Sequence, residues 1–248
     1  MAEEMVALVT ANFGGIDRIK PLPMPHPRVR AFYYTDEETL AASTEEERAG
    51  WDKILVPNYP RHDFNPRLRA RYFKHQIHRL DEVLGYRWLM WMDSSIEVRD
   101  IDFIAGWADI LDQQVAQEDR MMTVPIRANG TVQSEFEYIQ GKIDEGDQYF
   151  IVRYGQEKMK EQMAWFKEKG FDTSAMLLAC TLWMVENNGV VHNAMDTWWD
   201  QNIRFGMMDQ LSLPIVLSSF GIRPLMFKIN VFGEQNPFWT VIPHAAAI

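Results

Sequence analysis

The run Trp88-Leu-Met-Trp-Met92 constrains the fold more than any other segment, because five consecutive apolar residues suit a strand buried on both faces. Directly after it, Asp93-Ser94-Ser95 brings together a carboxylate and two hydroxyls. Ligands of open α/β sheets bind beyond the carboxyl ends of the strands. A carboxylate fixed there can hold a divalent cation against phosphate oxygens, since Mg²⁺ and Mn²⁺ prefer hard oxygen ligands. It can equally open an Asx or Ser turn, in which the side chain bonds its own backbone. The segment alone leaves both readings open.

The flanking pattern supplies the rest of an α/β fold. Met5 to Thr10 reads as a strand that runs into Asn12-Phe13-Gly14-Gly15, a turn small enough to let backbone N–H groups approach a ligand. Pro21, Pro23, Pro25 and Pro27 keep the next stretch extended. Val29 to Thr35 and Lys53 to Val56 read as further strands. The first of these ends in Tyr33-Tyr34-Thr35-Asp36, where an aromatic ring and a carboxylate suit a base and a ribose as well as a half-buried strand end. Asn65-Pro66 marks a helix start, and Gly85 its end after Leu84. Along that helix Arg71, Lys74, His75 and His78 share one face, a local basic surface before the Asp93 strand.

Beyond Asp93 the pattern shows an amphipathic segment over 101–115, a strand at 121–126 and a polar helical region over 133–169 broken near Gly146 and Gly155. A core strand at 175–185, a helix at 190–205 and a short strand at 225–229 follow. Cys180 falls in the apolar run and reads as a small buried hydrophobe. Trp198 and Trp199 diverge by about 100° on a helix, so one faces the core and the other is free to form a wall. Strands alternating with helices predict βαβ units, hence a mostly parallel central sheet flanked by helices in a single domain. Within it, about 1–98 forms one half and about 99–248 the other.

Composition excludes several function classes. The formal net charge of −10 speaks against a nucleic-acid partner, because binding a phosphate backbone needs a basic face. A small phosphorylated ligand stays compatible if positive charge is concentrated locally. One cysteine rules out an internal disulfide and fits a reducing compartment. No apolar stretch is long enough for a transmembrane helix, and the start of the chain is acidic, unlike a signal peptide, so a cytoplasmic protein is expected. G-x-S-x-G, P-loop, H-E-x-x-H and G-x-G-x-x-G motifs are all missing from the sequence.

Taken in order, Asn12-Phe13-Gly14-Gly15, Arg69-x-Arg71-Tyr-Phe-Lys74, Tyr86-x-x-Leu-x-Trp-x-Asp93-Ser-Ser-Ile, Glu135-Phe-Glu-Tyr138, Gln162-Met-x-x-Phe-x-x-x-Gly170-Phe, Trp198-Trp199 and Asp209-Gln210-Leu-Ser-Leu carry a resemblance. The chain resembles, over about residues 5 to 220, the glycosyltransferase-like family of plant mucilage-related and of bacterial and viral polysaccharide proteins. Those proteins are similar to GT-A nucleotide-sugar transferases, so the resemblance implies a GT-A-like, Rossmann-like fold. It also implies transfer of a sugar from a UDP- or GDP-type nucleotide-diphosphate donor to a hydroxyl of a glycan or other acceptor.

On the same resemblance Asp93 to Ser95 takes the place of the metal-binding D-x-D, with Ser95 where the pattern has an acid. Asp93 and Ser95, helped by His244, would hold Mn²⁺ or Mg²⁺. Arg71 and Lys74 would touch the donor phosphates, and Thr10, Ala11, Asn12, Tyr34 and Ser94 would line the nucleotide pocket. Asp209 and Gln210 take the catalytic position, Asp209 as a base or as a stabiliser of oxocarbenium-like charge. Read without the family, Asp209 caps the helix that follows it. A nucleotide-sugar-forming nucleotidyltransferase and a non-catalytic sugar- or nucleotide-binding module of the same fold are the alternatives. The first normally needs a basic glycine-rich loop after the first strand, whereas 12–17 carries only Asp17 as a charged residue.

Overall fold

A computed structural model of the 248-residue chain describes residues 5–23, 25–57, 65–113, 121–126, 130–233 and 236–242. Strands β1 (Val6–Ala11), β2 (Val29–Tyr34), β3 (Lys53–Leu55) and β4 (Trp88–Met92) come from the first part of the chain. After β5 (Ile96–Val98), strands β6 (Met121–Pro125), β7 (Leu178–Glu186) and β8 (Leu225–Met226) continue the main sheet. The seven-stranded order is β3-β2-β1-β4-β7-β6-β8. β1 pairs in parallel with β2 and β4, β2 with β3, and β6 with β8, while β7 runs against both β4 and β6. The expected mostly parallel sheet flanked by helices is what forms. β5 pairs with β9 (Trp239–Val241) in a separate antiparallel ribbon.

The uninterrupted apolar run of β4 is explained by its two neighbours. Leu89 and Trp91 enter the core beneath the helices α3 (Pro66–His75), α8 (Gly189–Phe205) and α9 (Asp209–Ser219), with Trp183 and Trp198. Trp88, Met90 and Met92 enter the opposite core with Trp107 of α4 (Asp102–Gln113) and Trp239 of the ribbon. With both faces covered, alternation has no reason to appear. Cys180 is buried among the first of these cores, as its surroundings in sequence suggested.

Two other helices, α1 (Glu37–Ala42) and α2 (Glu45–Arg48), bridge β2 and β3. The polar region after β6 forms α5 (Val132–Asp144), α6 (Gln148–Tyr154) and α7 (Met159–Glu168), interrupted at Gly146 and Gly155 as expected. α5 and α7 pack with α9 around a third apolar cluster.

The helix expected to run from Asn65 to Leu84 is a correction. Its start is as read, with the Asn65 side chain accepting from Leu68 N–H and Pro66 in the first turn. It ends at His75, because Gln76 leaves the helical region (φ −106°, ψ 25°) and two 3-10 turns, Ile77–Arg79 and Asp81–Val83, lead on to β4. The buried residues Ile77, Leu80 and Val83 recur every third residue, the period of a 3-10 helix rather than of an α-helix.

Candidate functional site

The sheet itself defines the crevice. From β1 the chain moves outward to β2 and β3, then returns to place β4 on the other side of β1, so strand order reverses between β1 and β4. Their carboxyl ends therefore open a cleft at the switch point of an α/β sheet. Ala11 and Asn12 line it from β1 and its following turn, Trp91, Asp93 and Ser94 from the end of β4. A second hollow adjoins the first and shares Arg71, Lys74, Asp93 and Arg153 with it. Ser95, Thr181, Asp209 and Gln210 line this second hollow.

The turn after β1 is fastened from several sides. Asn12 Nδ2 donates to the Asp17 carbonyl at 2.7 Å, and Asp17 N–H donates back to Asn12 Oδ1. Gly14 N–H donates to Asp36. Gly14 has φ +71°, and a Cβ there would lie 2.7 Å from Pro66 Cγ, so glycine lets the turn sit against the first turn of α3. Asp17 also accepts from Ser94 Oγ at 2.6 Å, and Lys20 Nζ donates to the Ser94 carbonyl. The ends of β1 and β4 are thereby tied to each other by polar contacts, and Ser94 is held in place at the cleft wall.

α3 aims Arg67, Arg71 and Lys74 at the cleft, at spacing i, i+4 and i+7. This revises the basic face read from sequence as Arg71, Lys74, His75 and His78. His75 turns into the core against Trp198, with ring centroids 4.0 Å apart, and burial holds it neutral, well below the usual histidine range. His78 lies beyond the helix end, beside Asp196 of α8. Arg67 was open to recognition one turn before Arg71. Arg153 was not, since it arrives from α6, far away in sequence.

Asp209 is the centre of the charge arrangement. Its carboxylate pairs with Arg71 and accepts from Lys74 Nζ at 2.8 Å, and both Lys74 and Asp209 are 1% exposed. It is the first residue of α9 but does not cap that helix, since its side chain turns to α3 instead of to backbone N–H groups. Burial works against the ionised form, yet Arg71 and Lys74 outweigh it and hold the carboxyl down at about 2. Such a carboxylate stays ionised and is a weak proton acceptor. Its neighbour Gln210 reaches the second hollow. Pro214 lacks the N–H that the Gln210 carbonyl would accept within the helix.

Asp93 joins the same network. Its Oδ1 accepts from Trp91 Nε1 at 2.6 Å and from Lys74 Nζ at 3.3 Å. Of the residues expected to hold Mn²⁺ or Mg²⁺, Asp93 and Ser95 line the second hollow, and His244 lies outside the described residues. Among the described residues no group of three acidic, histidine or cysteine side chains is arranged to hold a metal ion. The Lys74 ammonium already sits against the Asp93 carboxylate, where a divalent cation would meet a like charge. Among the described residues, Asp93 and Ser95 alone, with Lys74 against the carboxylate, make a poor donor set for Mn²⁺ or Mg²⁺.

The structure places Thr10 and Tyr34 apart from the cleft lining. The Thr10 hydroxyl donates to the Met92 carbonyl at 2.9 Å, tying β1 to β4 in the interior. Tyr34 stacks on Phe73 at 4.5 Å and donates to Glu82 at 2.7 Å, away from the cleft lining. Ala11, Asn12, Arg71, Lys74, Asp93 and Ser94 all line the first hollow. Of the tryptophan pair, Trp198 is buried and donates toward the Asp209 carbonyl, while Trp199 packs edge-on against Tyr72 outside the cleft lining.

This architecture has known counterparts. The crystal structure of mouse xyloside xylosyltransferase 1, apo form, is similar at a TM-score of 0.51 and 7% identity, over 89% of this chain and 84% of that one. The fold is GT-A-like. A glycosyltransferase involved in the glycosylation of the major capsid of PBCV-1 is also similar, at a TM-score of 0.44 and 8% identity over 90% of this chain and 81% of that one. No protein-family model and no curated protein matches the sequence. Among the described residues, no helix is long and apolar enough to cross a membrane.

Proposed function

We propose that this protein is a glycosyltransferase that takes a nucleotide-diphosphate sugar of the UDP or GDP type and transfers the sugar to a hydroxyl of a glycan or similar acceptor. The observation that carries the reading is the Arg71–Lys74–Asp209 cluster, fixed beside Asp93 at the β1/β4 switch point of a GT-A-like sheet. The nucleotide lies against Ala11 and Asn12 in this reading, and its diphosphate faces Arg71 and Lys74.

Glycosyl transfer needs the departing diphosphate stabilised and the acceptor hydroxyl positioned. Preorganised cations do the first task without reorganising as charge develops, and Asp209 is what preorganises Arg71 and Lys74. Its low pKa makes Asp209 an electrostatic anchor, and Gln210 is the residue beside it that meets sugar or acceptor. The Mn²⁺- or Mg²⁺-assisted form of the reaction, with the ion on Asp93, is tested by the same titration.

Calorimetric titration with UDP, GDP and their sugar conjugates, each with Mn²⁺ and with chelator, tests the reading. Binding of one nucleotide diphosphate, with slow hydrolysis of its sugar conjugate, is expected. Asp93→Ala should abolish that hydrolysis and leave the circular dichroism spectrum unchanged. If no nucleotide diphosphate binds under either condition, the proposal is wrong. Binding with no hydrolysis or transfer would instead favour the non-catalytic module.

A further inference from the structure

The cleft holds more positive charge than its ion pairs consume. Across the two hollows, Arg67, Arg71, Lys74 and Arg153 face Asp17, Asp93 and Asp209, a local excess of basic over acidic groups in a chain of net charge −10. Arg71 and Lys74 are matched by Asp209 and Asp93. Arg67 and Arg153 have no carboxylate in ion-pair contact among the described residues. Arg153 is held instead by tyrosines: its Nε donates to the Tyr154 hydroxyl at 2.8 Å, and its guanidinium lies over the Tyr149 and Tyr154 rings. Burial, with Arg153 and Arg71 as like-charged neighbours, lowers the pKa of Arg67 against the opposing pull of Tyr154 and Glu157. Glu157 lies near Arg67 and Arg71 but accepts from the Met207 N–H and makes no ion pair with either among the described residues. The three guanidiniums at the cleft therefore form a site that an anion completes.

We propose that Arg67 and Arg153, together with Arg71 and Lys74, neutralise the donor diphosphate directly, so that these side chains take the place of the divalent cation that a D-x-D site would supply. The inference rests on the nucleotide-diphosphate reading above and deepens it. Ser95 then needs no carboxylate, and Asp93 serves to orient Lys74 rather than to ligate a metal. Guanidinium groups suit this task, because their fixed fork of N–H donors matches phosphate oxygens two at a time.

The test is calorimetric titration of UDP and GDP into the purified chain in EDTA and in Mn²⁺, for the native sequence, Arg67→Gln and Arg153→Gln. The dissociation constant of the nucleotide that binds is expected to differ by less than about threefold between EDTA and Mn²⁺, and each substitution to weaken binding by about tenfold. The thermal midpoint of Arg67→Gln without nucleotide should match or exceed that of the native chain, because removing one guanidinium relieves the repulsion. If Arg153→Gln melts early through loss of its tyrosine contacts, Arg153→Lys keeps the charge and loses the fork, and it should weaken binding less than Arg67→Gln does. Binding that appears only with Mn²⁺ overturns the inference and leaves the nucleotide-diphosphate reading standing. EDTA-insensitive binding that neither substitution weakens also overturns it. No binding in either buffer removes the nucleotide-diphosphate reading and this inference with it.

Discussion

Lys74 and Asp209 stand 135 residues apart in sequence, are 2.8 Å apart in the fold, and are each 1% exposed. Arg71 pairs with the same carboxylate oxygen, Oδ2. The contact fixes α3 to the start of α9 and sets the direction of both basic side chains at the cleft. Removing one partner of a buried pair leaves an uncompensated buried charge, which costs about 3–5 kcal/mol. Asp209→Asn should therefore lower unfolding stability by about that amount in urea titrations, and it should loosen nucleotide binding because Arg71 and Lys74 lose their anchor. Lys74→Met combined with Asp209→Asn should cost less than the two single changes added together.

The same carboxylate sets an acid limb of stability. Its folded pKa of about 2 lies below the ordinary 3.8, so the ionised form is favoured by folding. The resulting contribution, about 2 kcal/mol, is complete above pH about 4 and is lost as pH falls toward 2. Urea midpoints measured across that range should drop for the native chain and flatten in Asp209→Asn.

His78 produces a separate limb at milder pH. Burial lowers its pKa from the ordinary 6.5 to about 4, with His192 and Arg79 acting in the same direction and Asp196 opposing them. Below pH 6.5 the unfolded chain takes up a proton that the folded chain refuses, so stability falls from pH about 6.5 to about 4, by about 3 kcal/mol for this residue. His75 and His192, also held below the usual histidine range, add to the same limb, so His78→Gln should remove only its own part of the slope. A thermal midpoint unchanged between pH 7 and pH 4.5 in the native chain would contradict the assignment.

The turn before Asp209 depends on a missing side chain. Gly206 has φ +127°, and a Cβ there would lie 1.4 Å from Glu157 Oε2. That Glu157 oxygen accepts from the Met207 N–H, so it cannot simply move aside. Gly206→Ala should destabilise the fold by more than about 1 kcal/mol, from the strained backbone and the displaced Glu157 together. Because the turn leads directly into Asp209, nucleotide affinity should fall as well. Gly85→Ala, with nothing within 4 Å of its would-be Cβ, is the control and should change little.

Much of the sheet was legible from local pattern. The apolar run 88–92 announced a strand covered on both faces, and Asn65-Pro66 announced the start of α3, because strand burial and helix capping are decided by neighbours in sequence. The end of α3 is hidden in the sequence because Phe73, Ile77, Leu80 and Leu84 continue a helical spacing, whereas the residues actually buried beyond His75 are Ile77, Leu80 and Val83, with a period of three, and Leu84 is exposed. Thr10 and Tyr34 were read as pocket residues from their place at strand ends, and the face each presents was settled by what packed there, the Met92 carbonyl and Phe73.

By itself the sequence determined the α/β architecture, the position of Asp93 at the end of a buried strand, and the presence of Arg71 and Lys74 on one helix. It did so because hydrophobic periodicity and capping are short-range properties. Only the tertiary structure brought Asp209 to Lys74, set Lys74 against Asp93 where a metal ion was expected, and carried Arg153 from α6 to the same cleft. Those contacts join segments more than a hundred residues apart or from different layers, and the cost of burying unpaired charge, which no local pattern expresses, selects them.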